Sequence, residues 1–367
     1  MLAQDSVSLL PTMAAENRGQ PLLLGEEFGT IADVQTGRLS AFANHKTSGR
    51  RFGVFPFDRE QTGFLCTITP QPRPVKQAAI TAVGVALERL PAREKYGLEV
   101  ARVAAMVSRR ADGLDKVVLA RSLIYETDVP IDPMQVALLL SDDRNVLCYC
   151  IPLIDADQSN RWLVGATPER LLKKQGANVL STPLAGSARR LADAGKDAEA
   201  GAALLRSDKD ENEHRIVVEY IHDILAPYCK QLHTPGRPEL MQTKSMWHLG
   251  TRISGVLRDP ETPCLQLVHA LHPTPAVAGA PLELALSEIK KAEPFDRDFY
   301  AGTLGWVDGQ NNGDWHVTLR CAIIEDRRAQ LFAGAGIVDD SVPEQEIAET
   351  GAKFLAMRRA LGISGIM

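Results

Sequence analysis

The amino-acid sequence predicts a globular protein of the α+β class. Three observations indicate this class: short runs with strand-like alternation, a tight-turn sequence between two of them, and segments of helical spacing scattered along the chain. Hydrophobic residues make up 45% of the 367 residues and charged residues 24%, a composition that excludes disordered and fibrous proteins. Length alone leaves open two domains or one large α/β or α+β domain.

The N-terminal part, residues 1–95, is rich in turns and carries no recognisable chemistry. Short apolar stretches at residues 20–25 and 63–69 precede a proline-rich joint at residues 70–74. Asp5 stands where an export signal would have Lys or Arg, and no apolar core follows it. We therefore expect no export signal.

The pattern becomes more regular after residue 96. Apolar residues at helical spacing predict a helix that leads into a strand at residues 115–125: Val100, Val103, Ala104 and Val107. Runs bounded by turn residues predict further strands, at residues 148–153, 162–165 and 178–185. A polar segment at residues 209–214 then begins a helix that extends to about residue 228.

A hairpin is predicted between residues 302 and 325. Two alternating runs are separated by the sequence DGQNNGD, in which Asn312 and Gly313 are expected to supply the positive φ values of a tight turn. Alternation along the second arm places Arg320 on a polar face, opposite Trp315. A last strand at residues 330–338 leads into a final helix at residues 343–361.

Composition and missing motifs exclude several functions. With 41 Lys and Arg against 46 Asp and Glu the net charge is −5, without a long block of like charge, so a nucleic-acid partner is not expected. No apolar run has the length of a membrane span. No GxxxxGK[ST] occurs, and the GAGIV at residues 334–338 lacks a third glycine, so nucleotide and nicotinamide cofactors are not indicated.

The cysteines predict an intracellular redox state. None forms a CxxC pair, and most lie within apolar runs, which is typical of buried reduced thiols rather than disulfides or metal ligands. The six positions are Cys66, Cys148, Cys150, Cys229, Cys264 and Cys321. A cytoplasmic enzyme or binding protein fits these observations.

Two carboxylate pairs on separate predicted helices are the strongest chemical signal. Asp210 and Glu213 are three residues apart, and Glu213 shares a helix face with apolar residues, where a carboxylate needs a cation or a donor. Glu346 and Glu349 are again three apart, and Lys353 lies one turn further on. If the helices converge, these oxygens suit Mg²⁺. The alternative is solvated helix faces with a surface Glu349–Lys353 ion pair.

Other charged residues have no clear role from their pattern alone. Lys116 interrupts an otherwise apolar strand and Glu169 follows Pro168 at a strand end, and each is more typical of a surface charge. The small residues and arginines of residues 183–190, PLAGSARR, offer backbone N–H groups to an anion, although Gly186 could merely allow a turn.

Nine motifs, taken in order along residues 96–362, resemble those of the chorismate-utilising enzymes. They are KVVLAR (116–121), GATPERLL (165–172), PLAGSARR (183–190), KDENEH (209–214), WHLGTRISG (247–255), LHPTPAVAGAP (271–281), FDRDFYAGTLGWVD (295–308), VTLRCA (317–322) and LFAGAGIV followed by EQEIAETGAK (331–353). Within this family the motifs are most similar to those of the siderophore-type isochorismate synthases.

The resemblance implies a role for each matching residue. Lys116 matches a general base that activates water, and Glu169 matches a general acid that protonates the departing hydroxyl. Four carboxylates match the Mg²⁺ site: Glu213, Glu349, Asp210 and Glu346. The remaining matches are substrate-binding positions: Gly186, Ser187, His248, Ala276, Val277, Tyr300, Leu319, Arg320, Gly334 and Lys353. Of these, Arg320 with the backbone at Gly334 would hold the enolpyruvyl carboxylate, and Lys353 with Gly186 and Ser187 would lie by the ring carboxylate.

The resemblance also implies the reaction. Chorismate would become isochorismate by attack of water at C2 with loss of the C4 hydroxyl. Members that use ammonia typically have Gln at the position of Lys116 or a nucleophilic Lys at that of Ala185, so amine transfer and a glutaminase subunit are not expected. Salicylate synthase activity, which adds pyruvate elimination, stays open, although Ala276 favours isochorismate as the final product. A non-catalytic chorismate-binding protein is the third alternative.

The implied fold is a single large α+β domain of mostly antiparallel sheets packed in layers, with outer helices. Residues 1–95 would form a variable segment that completes this fold, and residues 96–364 the catalytic region. We expect a cytoplasmic monomer without nucleic-acid or membrane partners. The product would enter siderophore, salicylate or menaquinone synthesis, a choice that the sequence leaves open.

Overall fold

The computed structural model describes residues 19–44, 49–77, 84–153 and 160–363. The N-terminal segment in which we expect no export signal, including Asp5, lies outside these ranges. Among the described residues no helix is long and apolar enough to cross a membrane. All six cysteines are buried and unbridged, as predicted.

Twenty strands form the framework. In chain order they are β1 (Pro21–Leu24), β2 (Glu27–Gly37), β3 (Arg51–Phe55), β4 (Gly63–Pro70), β5 (Gly84–Leu90), β6 (Lys116–Thr127), β7 (Leu147–Pro152), β8 (Arg161–Thr167), β9 (Arg170–Gln175), β10 (Asn178–Thr182), β11 (Leu184–Arg189), β12 (Cys229–His233), β13 (Glu239–Gln242), β14 (Met246–Gly250), β15 (Ile253–Leu257), β16 (Gly279–Ala280), β17 (Thr303–Val307), β18 (Gly313–Val317), β19 (Cys321–Glu325) and β20 (Arg328–Ile337).

Eight α-helices lie among the described strands. They are α1 (Leu39–Phe42), α2 (Arg93–Ser108), α3 (Pro133–Leu140), α4 (Ala194–Leu204), α5 (Asp208–Leu225), α6 (Cys264–Leu271), α7 (Leu282–Ala292) and α8 (Pro343–Ala360). Their starts follow from local sequence. The side chain of Ser207 accepts a hydrogen bond from the backbone N–H of Asp210 and so begins α5, while Pro343 occupies the first turn of α8.

Seventeen strands join into one antiparallel sheet. Following the pairings, β5 and β16 share one edge of β6, and the order continues β6–β20–β19–β8–β7–β1–β2–β4–β3–β17–β18–β9–β10–β15–β12. Strands β11, β14 and β13 form a separate small sheet. Because a twisted sheet of this size curls or splits into packed layers, we describe a first half, β5 to β1, and a second half, β2 to β12.

Two hydrophobic clusters show the layers. The larger combines residues of the first half, such as Leu119 and Phe332, with residues of the second half, such as Phe52 and Trp315, so both halves enclose one core. The smaller lies on the other face of the first half, which α3 and α8 cover. The α+β class and the layered antiparallel arrangement with outer helices are therefore confirmed.

Most predicted elements are confirmed, with differences that have local causes. The run at residues 178–185 is two strands rather than one, because β10 pairs with β9 while β11 belongs to the small sheet. The predicted hairpin is formed by β17 and β18, but its left-handed residue is Asn311 at φ 59°, and Gly313 is already in β18. Asp308 explains this shift, because its carboxylate accepts hydrogen bonds from the backbone of Gln310 and Asn312.

The predicted polar face on the hairpin's second arm is wrong. The strand ends at Val317, the chain turns at Arg320 with φ 52°, and β19 begins at Cys321. His316 and Thr318 are buried rather than facing solvent, because a strand inside a layered sheet is covered on both faces.

Candidate active site

A cavity of about 640 Å³, including its opening, lies where the two carboxylate-bearing helices meet the first half of the sheet. Helices α5 and α8 supply Glu213, Glu349 and Lys353, and the small sheet supplies Gly186, Ser187 and His248. Every predicted site residue lines this cavity except three that lie behind its wall: Lys116, Asp210 and Glu346. The structure thus brings together residues that are up to about 240 positions apart.

Lys116 is the first residue of β6 and is fully buried. Its Nζ lies 3.0 Å from Glu213 Oε1, an ion-pair distance, without the geometry of a hydrogen bond. Gly336 on the neighbouring β20 makes room for this pair, because a Cβ there would lie 2.1 Å from Glu213 Oε1 and 2.8 Å from Lys116 Cε. The interpretation of Lys116 as a surface charge is therefore wrong.

Glu169 occupies the turn between β8 and β9 and is only 3% exposed. Burial raises the pKa of its carboxyl to about 8, against the opposing effects of a backbone hydrogen bond at Leu184 and the charges of Lys116 and Lys353. The carboxyl is therefore mostly protonated at neutral pH. Its interpretation as a surface charge is wrong as well.

Lysines neutralise the carboxylates behind and beside the cavity. Lys353 Nζ lies 2.7 Å from Glu349 Oε1, and Lys209 pairs with Glu346. The side chains of Lys353 and Glu349 are 17% and 19% exposed, so the alternative of a surface ion pair is wrong. Ser187 Oγ also donates to Glu349 Oε1, at 2.8 Å.

The carboxylates influence one another electrostatically. Burial, together with the charges of Glu349 and Glu213, raises the pKa of Glu346 to about 7 against the opposing effect of Lys209. The pKa of Asp210 is also raised, by burial and then by the charge of Glu213. Negative charge is therefore crowded between α5 and α8.

The residues fit a hard divalent cation by their donor chemistry. All four donors are carboxylates, their mutual repulsion favours a cation, and Glu346 Oε2 is buried without a hydrogen-bond partner among the described residues. However, no group of three or more His, Cys, Asp or Glu side chains in the described ranges is already arranged as a metal cluster. Asp210, Glu213, Glu346 and Glu349 are the residues that could hold the ion.

Arg320 and His248 form a cationic corner of the cavity. Arg320 Nη2 donates toward His248 Nε2 at 3.3 Å. Burial and then the charge of Arg320 lower the pKa of His248 well below its usual value, so the imidazole is neutral and accepts the hydrogen bond. This arrangement leaves the remaining N–H groups of the guanidinium to bind a carboxylate.

The apolar side of the cavity is built around Tyr300, whose ring stacks on Phe332 at 5.2 Å between centroids. Gly334 lies against this pair, because a Cβ there would come within 2.8 Å of the Tyr300 hydroxyl. The carbonyl of Gly334 accepts a hydrogen bond from Lys353 Nζ at 2.8 Å. Gly186 has φ 79° and packs on Asp210, so it does more than allow a turn.

Several lining residues were not predicted as site residues. They are Val118, Pro168, Leu184, Ala185, Phe332, Ala333 and Gly336. All seven lie within the nine motifs, and Pro168, Ala185 and Ala333 directly precede a predicted site residue, so treating every motif position as a candidate would have found them. Lys209 was missed for another reason, since its role depends on its pairing with a residue on α8.

Comparisons with known proteins agree with this geometry. A family model described as chorismate binding enzyme matches residues 68–362. The vibriobactin-specific isochorismate synthase of Vibrio cholerae serotype O1 is 39% identical over 318 residues, 85% of this chain and 79% of that protein. The isochorismate synthase EntC of Escherichia coli (strain K12) is 37% identical over 339 residues, 88% of this chain and 84% of that protein.

Solved structures show the same fold. The crystal structure of a putative 2,3-dihydroxybenzoate-specific isochorismate synthase, DhbC from Bacillus anthracis, has a TM-score of 0.84 and 32% identity, covering 97% of this chain and 100% of that one. Anthranilate synthase component I from Streptococcus pneumoniae TIGR4 has a TM-score of 0.70 at 19% identity, covering 97% and 95%. This second likeness concerns the fold alone.

Proposed function

Because the chain belongs to the chorismate-binding enzyme family, we propose that it is an isomerase that converts chorismate into isochorismate. The observation that carries this proposal is a buried, protonated carboxyl in the cavity together with a buried lysine behind Gly336 in the cavity wall. Lys116 and Glu169 are 0% and 3% exposed, and the pKa of Glu169 is raised to about 8. An acid and a base placed together in this way suit a reaction that takes one proton and gives another.

The reaction assigns a task to each of these two groups. Water attacks C2 of the ring and loses a proton, for which Lys116 is the proposed base. Hydroxide is a poor leaving group, so the hydroxyl at C4 departs only with a proton, which Glu169 donates in its neutral form. One water molecule is added at C2 and one is lost from C4, so the product is an isomer of the substrate.

The other cavity residues bind and orient the substrate. We assign the enolpyruvyl carboxylate to the guanidinium of Arg320, which His248 holds in place, and to the backbone at Gly334. The ring carboxylate lies by Lys353, Gly186 and Ser187. The side chains of Ala276, Val277, Tyr300 and Leu319 form the apolar wall against the ring.

Mg²⁺ is the proposed cofactor. Asp210, Glu213, Glu346 and Glu349 would hold it between α5 and α8. When bound, the ion supplies positive charge against the ring carboxylate and helps to fix the ring's orientation. In this structure Lys116, Lys209 and Lys353 pair with Glu213, Glu346 and Glu349, and these lysines balance the negative charge of the three carboxylates.

Salicylate formation is the second candidate activity. It would require the same hydration followed by elimination of pyruvate within the same cavity. Ala276 favours release of isochorismate, since the resemblance places Thr here in enzymes that form salicylate. A chorismate-binding protein without activity is disfavoured because all proposed catalytic residues are present and buried at one site.

One assay separates these alternatives. Purified protein is incubated with chorismate and Mg²⁺, and the products are separated chromatographically. Isochorismate alone supports the proposal, salicylate with pyruvate supports the second activity, and no conversion supports a binding protein. Repeating the assay with EDTA tests the metal, and unchanged turnover would contradict a Mg²⁺ requirement.

We further propose that the chain acts as a monomer in the cytoplasm, without a glutaminase subunit. Ala185 lines the cavity where an amine-transferring relative would have a nucleophilic lysine, and this observation supports independence from an ammonia source. Among siderophore, salicylate and menaquinone synthesis, we propose a siderophore pathway, because the motifs are most similar to those of the siderophore-type enzymes. Sedimentation of the active protein and its activity without glutamine test the monomer and the absence of a glutaminase.

A further inference from the structure

A second cavity adjoins the active-site cavity. Its volume is about 940 Å³ including its opening to solvent. Pro168 and Arg320 line both cavities, so these two residues form the partition between them. We call the second cavity the antechamber. Its walls come from α3, the start of β7 and the end of α8, including Leu139, Val146 and Ala356.

The antechamber has a positive rim. Its two acidic residues are both engaged: Asp142 pairs with Lys76 at 2.5 Å, and Asp143 accepts hydrogen bonds from the backbone N–H groups of Lys244 and Asn145. The rim also carries Arg359. Within the described ranges neither the Lys244 ammonium nor the Arg359 guanidinium has an ion pair or a side-chain hydrogen bond, and both residues are exposed.

We propose that the antechamber is the passage through which the dicarboxylate substrate enters the active site and its product leaves. This inference rests on the proposed function, which makes both molecules dianions with an apolar ring. Lys244 and Arg359 attract the carboxylates at the rim, and the apolar walls accept the ring. Arg320, reached from the antechamber, then binds the first carboxylate on the active-site side.

The opposite approach is less favourable for a dianion. Between α5 and α8 the lysines are already paired with carboxylates, Lys353 with Glu349 and Lys209 with Glu346. Among the described residues, Lys244 and Arg359 at the rim have no such partner. Electrostatic steering by a rim of one sign increases association rates by about 10- to 1,000-fold. The unpaired cations of the rim therefore favour entry through the antechamber.

Charge reversal at the rim tests the passage. The full-length variants Lys244→Glu and Arg359→Glu should lower kcat/KM for chorismate by about 10-fold each while kcat stays within about two-fold, and they should weaken its decline with added salt. Matched controls are Lys230→Glu and Arg237→Glu, exposed cations on and beyond β12 at the far edge of the sheet. Rim variants that behave like these controls would overturn the proposal.

Filling the antechamber is an independent test. Ala356→Phe narrows it and should lower kcat/KM by at least about 10-fold, whereas Ala356→Ser, which keeps the volume, should not. If the Phe variant does not fold, the exposed rim variants decide alone. The competing interpretation is that the antechamber binds a regulatory carboxylate. In that case salicylate would inhibit the wild type noncompetitively with chorismate, and Lys244→Glu would abolish this inhibition without changing kcat/KM. That result would overturn the passage.

The wild-type protein separates this inference from the function on which it rests. If wild type forms no isochorismate, the proposed function fails and the passage fails with it. If wild type is active and every antechamber variant matches its control, only the passage fails.

Discussion

The proposed role of Glu169 as the acid depends on its carboxyl group being protonated. Only its neutral form could donate the proton in the proposed reaction, and the pKa of about 8 places the loss of that form just above neutral pH. We expect kcat to fall as pH rises through about 8, because the ionised carboxylate has no proton to give. A pH–rate profile with saturating chorismate and Mg²⁺ measures the effect.

Replacing Glu169 with Gln should lower kcat by about 100- to 10,000-fold, because the amide keeps the shape of the side chain without an acidic proton. The remaining activity should no longer fall at high pH. Near-wild-type turnover, or an unchanged high-pH limb, would remove Glu169 from the role of acid. Near-ultraviolet circular dichroism of the variant distinguishes a lost proton donor from a lost fold.

Gly336 leaves the space in which the side chains of Lys116 and Glu213 meet. A methyl group there would fall 2.1 Å from Glu213 Oε1, so this carboxylate and the adjacent Lys116 must move. We expect Gly336→Ala to lower kcat by about 10- to 100-fold, as small misplacements of catalytic groups do. The matched control is Gly236→Ala, since a Cβ at Gly236 meets no atom within 4 Å. Equal activities of the two variants would contradict the prediction.

Spacing along a helix indicated two carboxylate pairs as candidates but gave no sign of the proposed catalytic pair, Lys116 and Glu169. Glu213 shares its face with Val217, and this periodicity is visible in the sequence. The burial of Lys116 and Glu169 is produced by strands and helices far away in the chain, so their local pattern indicated surface charges. Only the ordered motifs, which combine many positions, placed these two residues in one site.

At the scale of elements, a buried ion pair joins three parts of the cavity wall. Arg297 donates to the carbonyl oxygens of Val277 and Val118, each at 2.7 Å, and pairs with Glu293, which caps the C-terminus of α7. Glu293 in turn accepts a hydrogen bond from the backbone of Ala120. The pair therefore fixes β6, the segment before β16 and α7 relative to one another.

Removing the arginine should destabilise the protein strongly. We expect Arg297→Ala to lower the free energy of unfolding by about 3–5 kcal/mol, because Glu293 would stay buried without its partner. The control is Arg215→Ala on α5, whose exposed pair with Glu219 contributes about 0.3–0.5 kcal/mol. Urea unfolding of both variants gives the comparison, and similar midpoints would contradict the prediction.

Helices and strands with regularly spaced apolar residues could be predicted from the sequence, whereas the turns that interrupt such a pattern could not. Helices α2, α5 and α8 and strands β6 and β20 follow from apolar spacing. The turn at Arg320 could not be predicted, because alternation continues through it in the sequence and nothing local requires the left-handed backbone. That backbone depends on the two strands on either side, which pair with different neighbours, β18 with β9 and β19 with β8.

At the scale of the whole molecule, the N-terminal strands occupy the middle of the sheet. Strand β1 pairs with β7 in the first half, and β3 pairs with β17 in the second half. We propose that residues 1–95 complete the fold of the catalytic region rather than form a domain of their own. The motif order, which predicted one large domain, agrees with this proposal.

A single unfolding transition is the expected consequence. Thermal unfolding followed by far-ultraviolet circular dichroism and by tryptophan fluorescence should coincide, because Trp162 reports on the first half while Trp306 and Trp315 report on the second. A chain lacking residues 1–75 should show neither cooperative unfolding nor activity. Two separate transitions, or an active truncated chain, would contradict the proposal.

Because these strands lie in the middle of the sheet, they are synthesised long before some of the strands that they pair with. Strand β3 leaves the ribosome early, yet the strand that covers its edge ends at residue 307, roughly 250 residues later. At about 5–20 residues per second, that edge waits on the order of ten to fifty seconds for its partner. Unpaired apolar edges template aggregation. The nascent chain is therefore most vulnerable before its own C-terminal third has been made, and this interval is where a chaperone would have most effect on yield.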